Sequence, residues 1–152
     1  MDPLIRTATD DDASAISRVV VAALRESNAQ DYSQEIIEQV QRSFSPAAIL
    51  HLLSQRRVFV ATIDQHVVAT ASLDQDVVRS VFVTPSHQGA GIGKILMKTL
   101  EAIASKEGAQ RLRVPSSITA EGFYASLGFD KIRDEFHGAE RTIIMEKWLV
   151  QS

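Results

Sequence analysis

The chain of 152 residues contains no cysteine. That absence removes disulfides, thiolate metal ligands and any mechanism that holds an acyl group on a cysteine sulfur. Long apolar runs are also missing, and no stretch approaches the roughly 18 uninterrupted apolar residues of a membrane helix. The opening "MDPLIRTATDDD" is acidic and has no apolar centre, so it does not read as a secretory signal. There are no repeats, no low-complexity tracts and no linker-like shift in composition. Neither sign of charge dominates, and a net charge of −3 offers no basic face for nucleic acid or an anionic membrane. Metal-ligand spacing is lacking as well, with no His-x-x-x-His pair and no acidic cluster on one face, so no metal is expected. What remains is a single cytoplasmic domain over residues 1–152. Its 45% hydrophobic and 23% charged residues are ordinary for a globular protein able to bury a core.

The periodicities that are present alternate between helix and strand. "LIRTAT" (4–9) reads as a first strand, followed by an amphipathic helix with apolar Ile16, Val19, Val20, Ala23 and Leu24. The "DDD" at Asp10 to Asp12 complements the positive end of that helix. Ser33 is an N-cap candidate for a second helix, and Ser45 with Pro46 opens a third. "RVFVATI" and "HVVATASL" form two strands reversing at Asp64–Gln65, a pair that leaves the turn type open. "VVRSVFV" (77–83) is a further strand, ended by Pro85. A long helix carrying Ile92, Ile95, Leu96, Thr99, Leu100 and Ile103 runs to Gly108, a C′ residue. Then come the strand "QRLRV", a short helix "TAEGFYASLG" with Thr119 as its cap, and the strands "FDKIRDEF" and "RTIIMEKWL". The order predicts an α/β (α+β) domain whose sheet is mostly antiparallel, with one crossover around the long helix.

Between the strand 77–83 and the long helix lies "SHQGAGIGK", with Gly89, Gly91 and Gly93 in five residues. A strand, a glycine turn and a helix N-terminus together make an anion site. A P-loop would need glycine where Gln88 stands and Ser or Thr where Ile95 stands. A dinucleotide fingerprint would need glycine at Lys94. Both fail. The pattern Gln/Arg-x-x-Gly-x-Gly/Ala fits at Gln88, Gly91 and Gly93. Further on, "SSITAEGFYASLGF" places Ala120, Phe123, Tyr124, Gly128 and Phe129 at the spacing Ala-x-x-Phe-Tyr-x-x-x-Gly-Phe. Phe123 and Leu127 share a helix face and are expected to pack inward, leaving Tyr124 to point into a cleft.

These two motifs, in this order, resemble the GNAT superfamily of N-acetyltransferases, and the likeness extends over nearly the whole chain. The resemblance implies the GNAT fold: a mixed, mostly antiparallel sheet of six to seven strands with flanking helices and a splayed central strand pair. It implies acetyl-CoA as donor and a primary amine, on a small molecule or a peptide, as acceptor. Gln88, Gly89, Ala90, Gly91, Ile92, Gly93 and Lys94 would wrap the pyrophosphate. The backbone of Val81, Phe82 and Val83 would serve the pantetheine arm, with an N–H near Phe82 or Val83 polarising the thioester. Many members carry Asn six residues before the Phe of the Phe-Tyr pair; here that residue is Ser117, whose hydroxyl can still bond the pantetheine.

Without cysteine, direct attack of the amine in a ternary complex is favoured. Tyr124 is the expected general acid for the departing thiolate. Tyr32, placed in the helical region, is a poor rival. The general base is open among Asp74, Asp76, Glu26 and Glu121, each of which also reads as a surface acid. His87 adjoins the loop, and His137 borders the region expected to meet the acceptor, together with 24–53 and 136–141. A second reading of the same resemblance is an acyl-CoA-binding sensor or interaction module that has lost catalysis. Dimerisation is common in the fold, and the sequence leaves it open.

Overall fold

A computed structural model describes residues 2–149; Met1 and residues 150–152 of the expected domain lie outside the described residues. The elements run β1 (Leu4–Thr7), α1 (Ala13–Glu26), α2 (Gln34–Arg42), α3 (Pro46–Gln55), β2 (Arg57–Ile63), β3 (His66–Asp74) and β4 (Val77–Val83). They continue with α4 (Ile92–Lys106), β5 (Arg111–Ser117), α5 (Glu121–Ser126), β6 (Asp130–His137) and β7 (Glu140–Trp148). One seven-stranded sheet has the order β1-β2-β3-β4-β5-β7-β6, antiparallel everywhere except between β4 and β5. This is the mixed sheet expected from the sequence. Among the described residues no helix is long and apolar enough to cross a membrane.

Alternation along the strands gives the sheet two apolar faces. One packs α4 and α5 through Leu73, Val78, Leu96, Leu100, Leu112 and Met145. The other carries α1, α2 and α3 through Ile16, Val20, Leu24, Ile37, Ile49 and Val60. The predicted caps form: Ser33 Oγ accepts from Ile36 N at 3.3 Å and Ser45 Oγ from Ala48 N at 3.2 Å. The Asp64–Gln65 reversal has φ of 52° and 70°. Two successive left-handed residues give the hairpin turn whose twist suits paired strands, reached here without glycine.

Some boundaries and roles differ from expectation. β5 continues through Pro115 to Ser117. Arg113 N donates to Asp76 O at 3.0 Å, so alternation turns the ring nitrogen of Pro115 toward the same side. By then β4 has left, and the missing N–H costs no ladder bond. Ile95 is 39% exposed, because Met97 takes the place in the α4 core that the sequence assigned to it. Thr119 does not cap α5: its hydroxyl donates to Asp31 at 2.8 Å, and the cap position falls on Ala120.

Asp12 is also more than a dipole complement. It is buried, receives both ends of the Arg6 guanidinium at 2.8 and 2.9 Å, and accepts Thr9 N at 2.8 Å. The Arg6 hydrogen bond, foremost, holds its carboxyl below the ordinary range. A depressed pKa stabilises the fold above the unfolded value near 3.9, and the benefit is lost as pH falls through the folded value. Asp12→Asn is therefore expected to lower stability at pH 7 by about 1–2 kcal/mol. Chemical denaturation should show the gap to wild type narrowing as pH falls below the ordinary carboxylate value near 3.9.

Candidate active site

The parallel partners β4 and β5 meet only at Val77↔Arg113 and then diverge. Within β4 the register against β3 slips between Thr70↔Phe82 and Ser72↔Arg79, and Ser80 adopts φ of 54°. That is a bulge. It turns Phe82 onto the α1–α3 face, where its ring meets Phe44 edge-on at 5.6 Å. Thr84 N donates to Val68 O, so alternation points the N–H of Phe82 toward β3 and the N–H groups of Val81 and Val83 into the gap. Between Phe82 and Val83, the register thus selects Val83 as the amide facing the gap.

At the wide end of the gap the loop leads into α4. Gly89 and Gly91 both have φ of 82°, which asks for glycine. Gly93 is required for another reason: a Cβ there would lie 3.1 Å from Phe123 Cζ and 3.7 Å from Val83 Cγ2. The backbone amides of Ala90, Gly91, Ile92 and Gly93 make no hydrogen bond among the described residues. They are the free donors of a helix N-terminus, and with the dipole they suit a phosphate. Lys94 is exposed on the first turn. Gln88 acts inward instead, its Nε2 donating to Val83 O at 3.0 Å and to Ser27 Oγ at 3.0 Å. Its side chain braces the loop against β4 and α1. His87 Nδ1 is likewise engaged, 2.9 Å from Thr84 Oγ1.

Between the diverging strands lies a cavity of about 250 Å³. Its walls are β4 (Arg79 to Phe82), β5 (Val114 to Ser117), α1 and α2 with the turn between them (Leu24, Asn28, Ile37, Val40), and the β6–β7 hairpin (His137, Glu140, Thr142). Tyr124 reaches it from α5. Phe123 and Leu127 pack against the core as expected, and Tyr124, which lines the cavity, is itself the most buried residue of α5, at 3% exposure. Its ring stands edge-on to Phe123 at 5.1 Å and Phe129 at 5.6 Å. Burial pushes the phenol well above its ordinary value, so it stays protonated. Ser117 Oγ accepts Ala120 N at 3.1 Å, leaving its own proton free.

Tyr32 corrects the sequence reading of its place. It lines the same cavity, yet its hydroxyl donates to Arg141 O at 2.7 Å and accepts Ile118 N at 2.8 Å. It fastens the helical wall to β5 and β7 and has no proton to spare. None of Asp74, Asp76, Glu26 and Glu121 lines the cavity; the carboxylate that does is Glu140. No sequence motif marks Glu140, and only its position in the hairpin that includes His137 hinted at it. No group of three or more acidic or histidine side chains able to hold a metal occurs among the described residues.

A family model described as an acetyltransferase (GNAT) domain matches residues 28–147. Among solved structures, a GCN5-related N-acetyltransferase from Rhodopseudomonas palustris is 27% identical with a TM-score of 0.93, covering 98% of this chain and 97% of that one. The PaiA N-acetyltransferase of Thermoplasma acidophilum, in complex with coenzyme A, is 22% identical with a TM-score of 0.82 over 97% and 99% of the two chains. YncA from Salmonella typhimurium, with acetyl-CoA, is 21% identical with a TM-score of 0.66 over 100% and 96%. No curated protein sequence matches significantly.

The contact beneath Gly93 is testable. Gly93→Ala should lower stability by about 1 kcal/mol through overpacking against Phe123, and Phe123→Leu in the same chain should recover part of it. Denaturant titration of the two single variants and the double variant measures the coupling. Strictly additive losses would mean that Phe123 is not what the Cβ meets.

Proposed function

The chain belongs to the GNAT acetyltransferase family, and on that premise we propose that it transfers the acetyl group of acetyl-CoA to a primary amine in a ternary complex. The observation that carries this reading is the gap between β4 and β5, with a protonated phenol at its floor and a free-amide loop at its mouth. Acetyl-CoA brings a thioester, whose carbonyl carbon accepts the amine and whose sulfur leaves. The residues present fit it. The unbonded amides from Ala90 to Gly93, at the N-terminus of α4, suit a pyrophosphate. The unpaired edge of β4 at Val81 and Val83 suits the amides of a pantetheine arm, as an added strand would. Ser117, with its proton free, offers a further donor to that arm.

The amide of Val83, facing the gap, would stabilise the negative charge that grows on the carbonyl oxygen during attack. Tyr124, which lines the cavity, would donate the proton to the departing sulfur. Its raised pKa makes it a weaker acid, but the same dry surroundings raise the thiol, so the proton still has a destination. Glu140 is the carboxylate within the cavity, and it attracts the ammonium form of an acceptor and takes the proton that the amine must lose. The chain's lack of cysteine leaves no sulfur to carry an acyl-enzyme, so the amine attacks directly.

Tyr124→Phe should bind acetyl-CoA with unchanged affinity in calorimetry and turn over about 100-fold or more slowly. Failure of the wild type to bind acetyl-CoA would sink the proposal. The pH profile carries a sign. The donating form of Tyr124 is the neutral phenol, and its pKa lies above the ordinary value near 10, so kcat should show no descending limb below about pH 10. A limb near pH 8–9 that vanished in Tyr124→Phe would contradict the raised pKa.

A further inference from the structure

The cavity has charge of opposite sign at its two ends. Glu140 stands by the β6–β7 hairpin, at the wide end. Arg56 and Arg79 stand at the narrow end, near the last contact of β4 with β5. Arg79 lies across from Ser72, on the face that carries α1 to α3. Its Nε is buried and has no hydrogen-bond partner among the described residues. An Asp74 carboxylate oxygen is 3.6 Å away, beyond hydrogen-bond reach. Arg56 follows α3 and donates from Nη1 to Ser80 Oγ at 3.2 Å, fixing it beside the bulge. Burial, and then the neighbouring charge of Arg79, push the Arg56 guanidinium downward, with Asp74 opposing.

Two guanidinium groups line one end of this cavity, and the carboxylate paired with Arg79, Asp74, is not among its lining residues, so the end is net positive. Elsewhere the fold satisfies such groups: Arg111 and Arg113 share Glu146 at 3.0 and 3.2 Å. The Arg79 side chain is 38% exposed and ion-paired with Asp74, but its buried Nε lacks a hydrogen bond beside a like charge, and a bound anion would supply one. That anion is not the pyrophosphate, because the loop that suits it follows the far end of β4. The charge count fits a monoanion, and the forked guanidinium geometry fits a carboxylate. Between the two ends the wall is apolar, from Ile37, Val40, Phe44 and Phe82.

We propose that Arg56 and Arg79 bind the carboxylate of the acceptor, so that the substrate is an aminocarboxylate with an apolar body. Its amine lies toward Val83 and Tyr124, its carboxylate at the narrow end. This rests on the acetyl-transfer reading of the same cavity. A polycationic amine is excluded by the same charge.

Matched pairs test it: leucine, phenylalanine and 6-aminohexanoate, each beside its carboxamide, with spermidine as the polycation. Release of CoA thiol is measured with wild type, Arg79→Gln and Arg56→Gln, each checked for folding by thermal melting. Calorimetry on CoA-loaded protein measures binding of the same compounds. At least one acid should exceed its amide about 10- to 100-fold in kcat/KM, mostly through KM, with spermidine the poorest. Either arginine variant should collapse that ratio toward one, and Arg79→Lys should restore part of it. Equal rates for acids and amides, or a ratio indifferent to both arginine variants, would overturn the proposal. If no amine releases thiol, the binding arm decides. Acid-selective, arginine-dependent binding would uphold the carboxylate site while the transfer reading fails, and absence of selectivity there would overturn the site.

Discussion

Everything functional in this molecule depends on two parallel strands that stop pairing. After Val77↔Arg113, β4 and β5 separate, and the backbone groups on their facing edges lose their ladder partners inside a largely buried region. Left alone, such groups would be costly. The fold keeps the gap open with side chains that satisfy the backbone around it. Gln88 covers the Val83 carbonyl, Ser117 accepts from Ala120, and Tyr32 bridges Ile118 N and the Arg141 carbonyl. Pro115 contributes by having no N–H to strand. The bulge at Ser80 then sets which β4 residues face which core, placing Phe82 under the helices and the Val83 amide in the gap.

The gap joins the two faces of the sheet, and that gives a two-substrate reaction its geometry. On one side the α4 N-terminus and α5 contribute free amides and a buried phenol. On the other, α1, α2 and the β6–β7 hairpin build a wall of apolar side chains with charges at its ends. Donor and acceptor can therefore approach from different elements and meet between the strands, without either passing through the other's site. Positioning of this kind is a large part of what the proposed direct transfer would require. Gly93 ties the two elements of the first side together. Only a hydrogen there lets α4 settle on Phe123, the neighbour of Tyr124, so the phosphate loop and the proposed acid share one packing contact.

The parts legible in the sequence are those encoded within a few residues of one another. Ser33, Ser45 and Pro46 announce their helices; Gly89, Gly91 and Gly93 announce the loop; the Phe-Tyr spacing announces α5. All concern local backbone geometry. The parts not legible rely on partners far along the chain. Tyr32 is 86 residues from Ile118 and 109 from Arg141, and nothing near it marks it as a clamp across the site. Glu140 becomes a cavity residue only because β7 pairs with β5. Ser80 lies in a run that reads as an unbroken strand, and a bulge made by a non-glycine residue leaves no mark in that run. Gln88 stands out for its place in a motif, yet its side chain works on Val83 and Ser27, a contact 61 residues long.

The same distinction separates what is general in this site from what is particular. The donor half uses backbone amides and an unpaired strand edge, groups every residue possesses, so only glycine positions and one register need to be kept. Substitutions on that surface act through conformation, not chemistry. The acceptor half uses side chains from α1, α2, the α3–β2 junction, β4 and the final hairpin. Its apolar members, Leu24 and Ile37 among them, also pack the α1–α3 face of the sheet, whereas the charged ones, Arg56, Arg79 and Glu140, are not part of either core. On the proposed reading, acceptor choice is then set by which charges stand at the two ends of one apolar channel. In this chain a carboxylate stands at the wide end and two guanidinium groups at the narrow end. A substrate complementary to both has an amine at one end and an acid at the other, and the distance between the ends, more than the identity of the middle, fixes which such molecules fit.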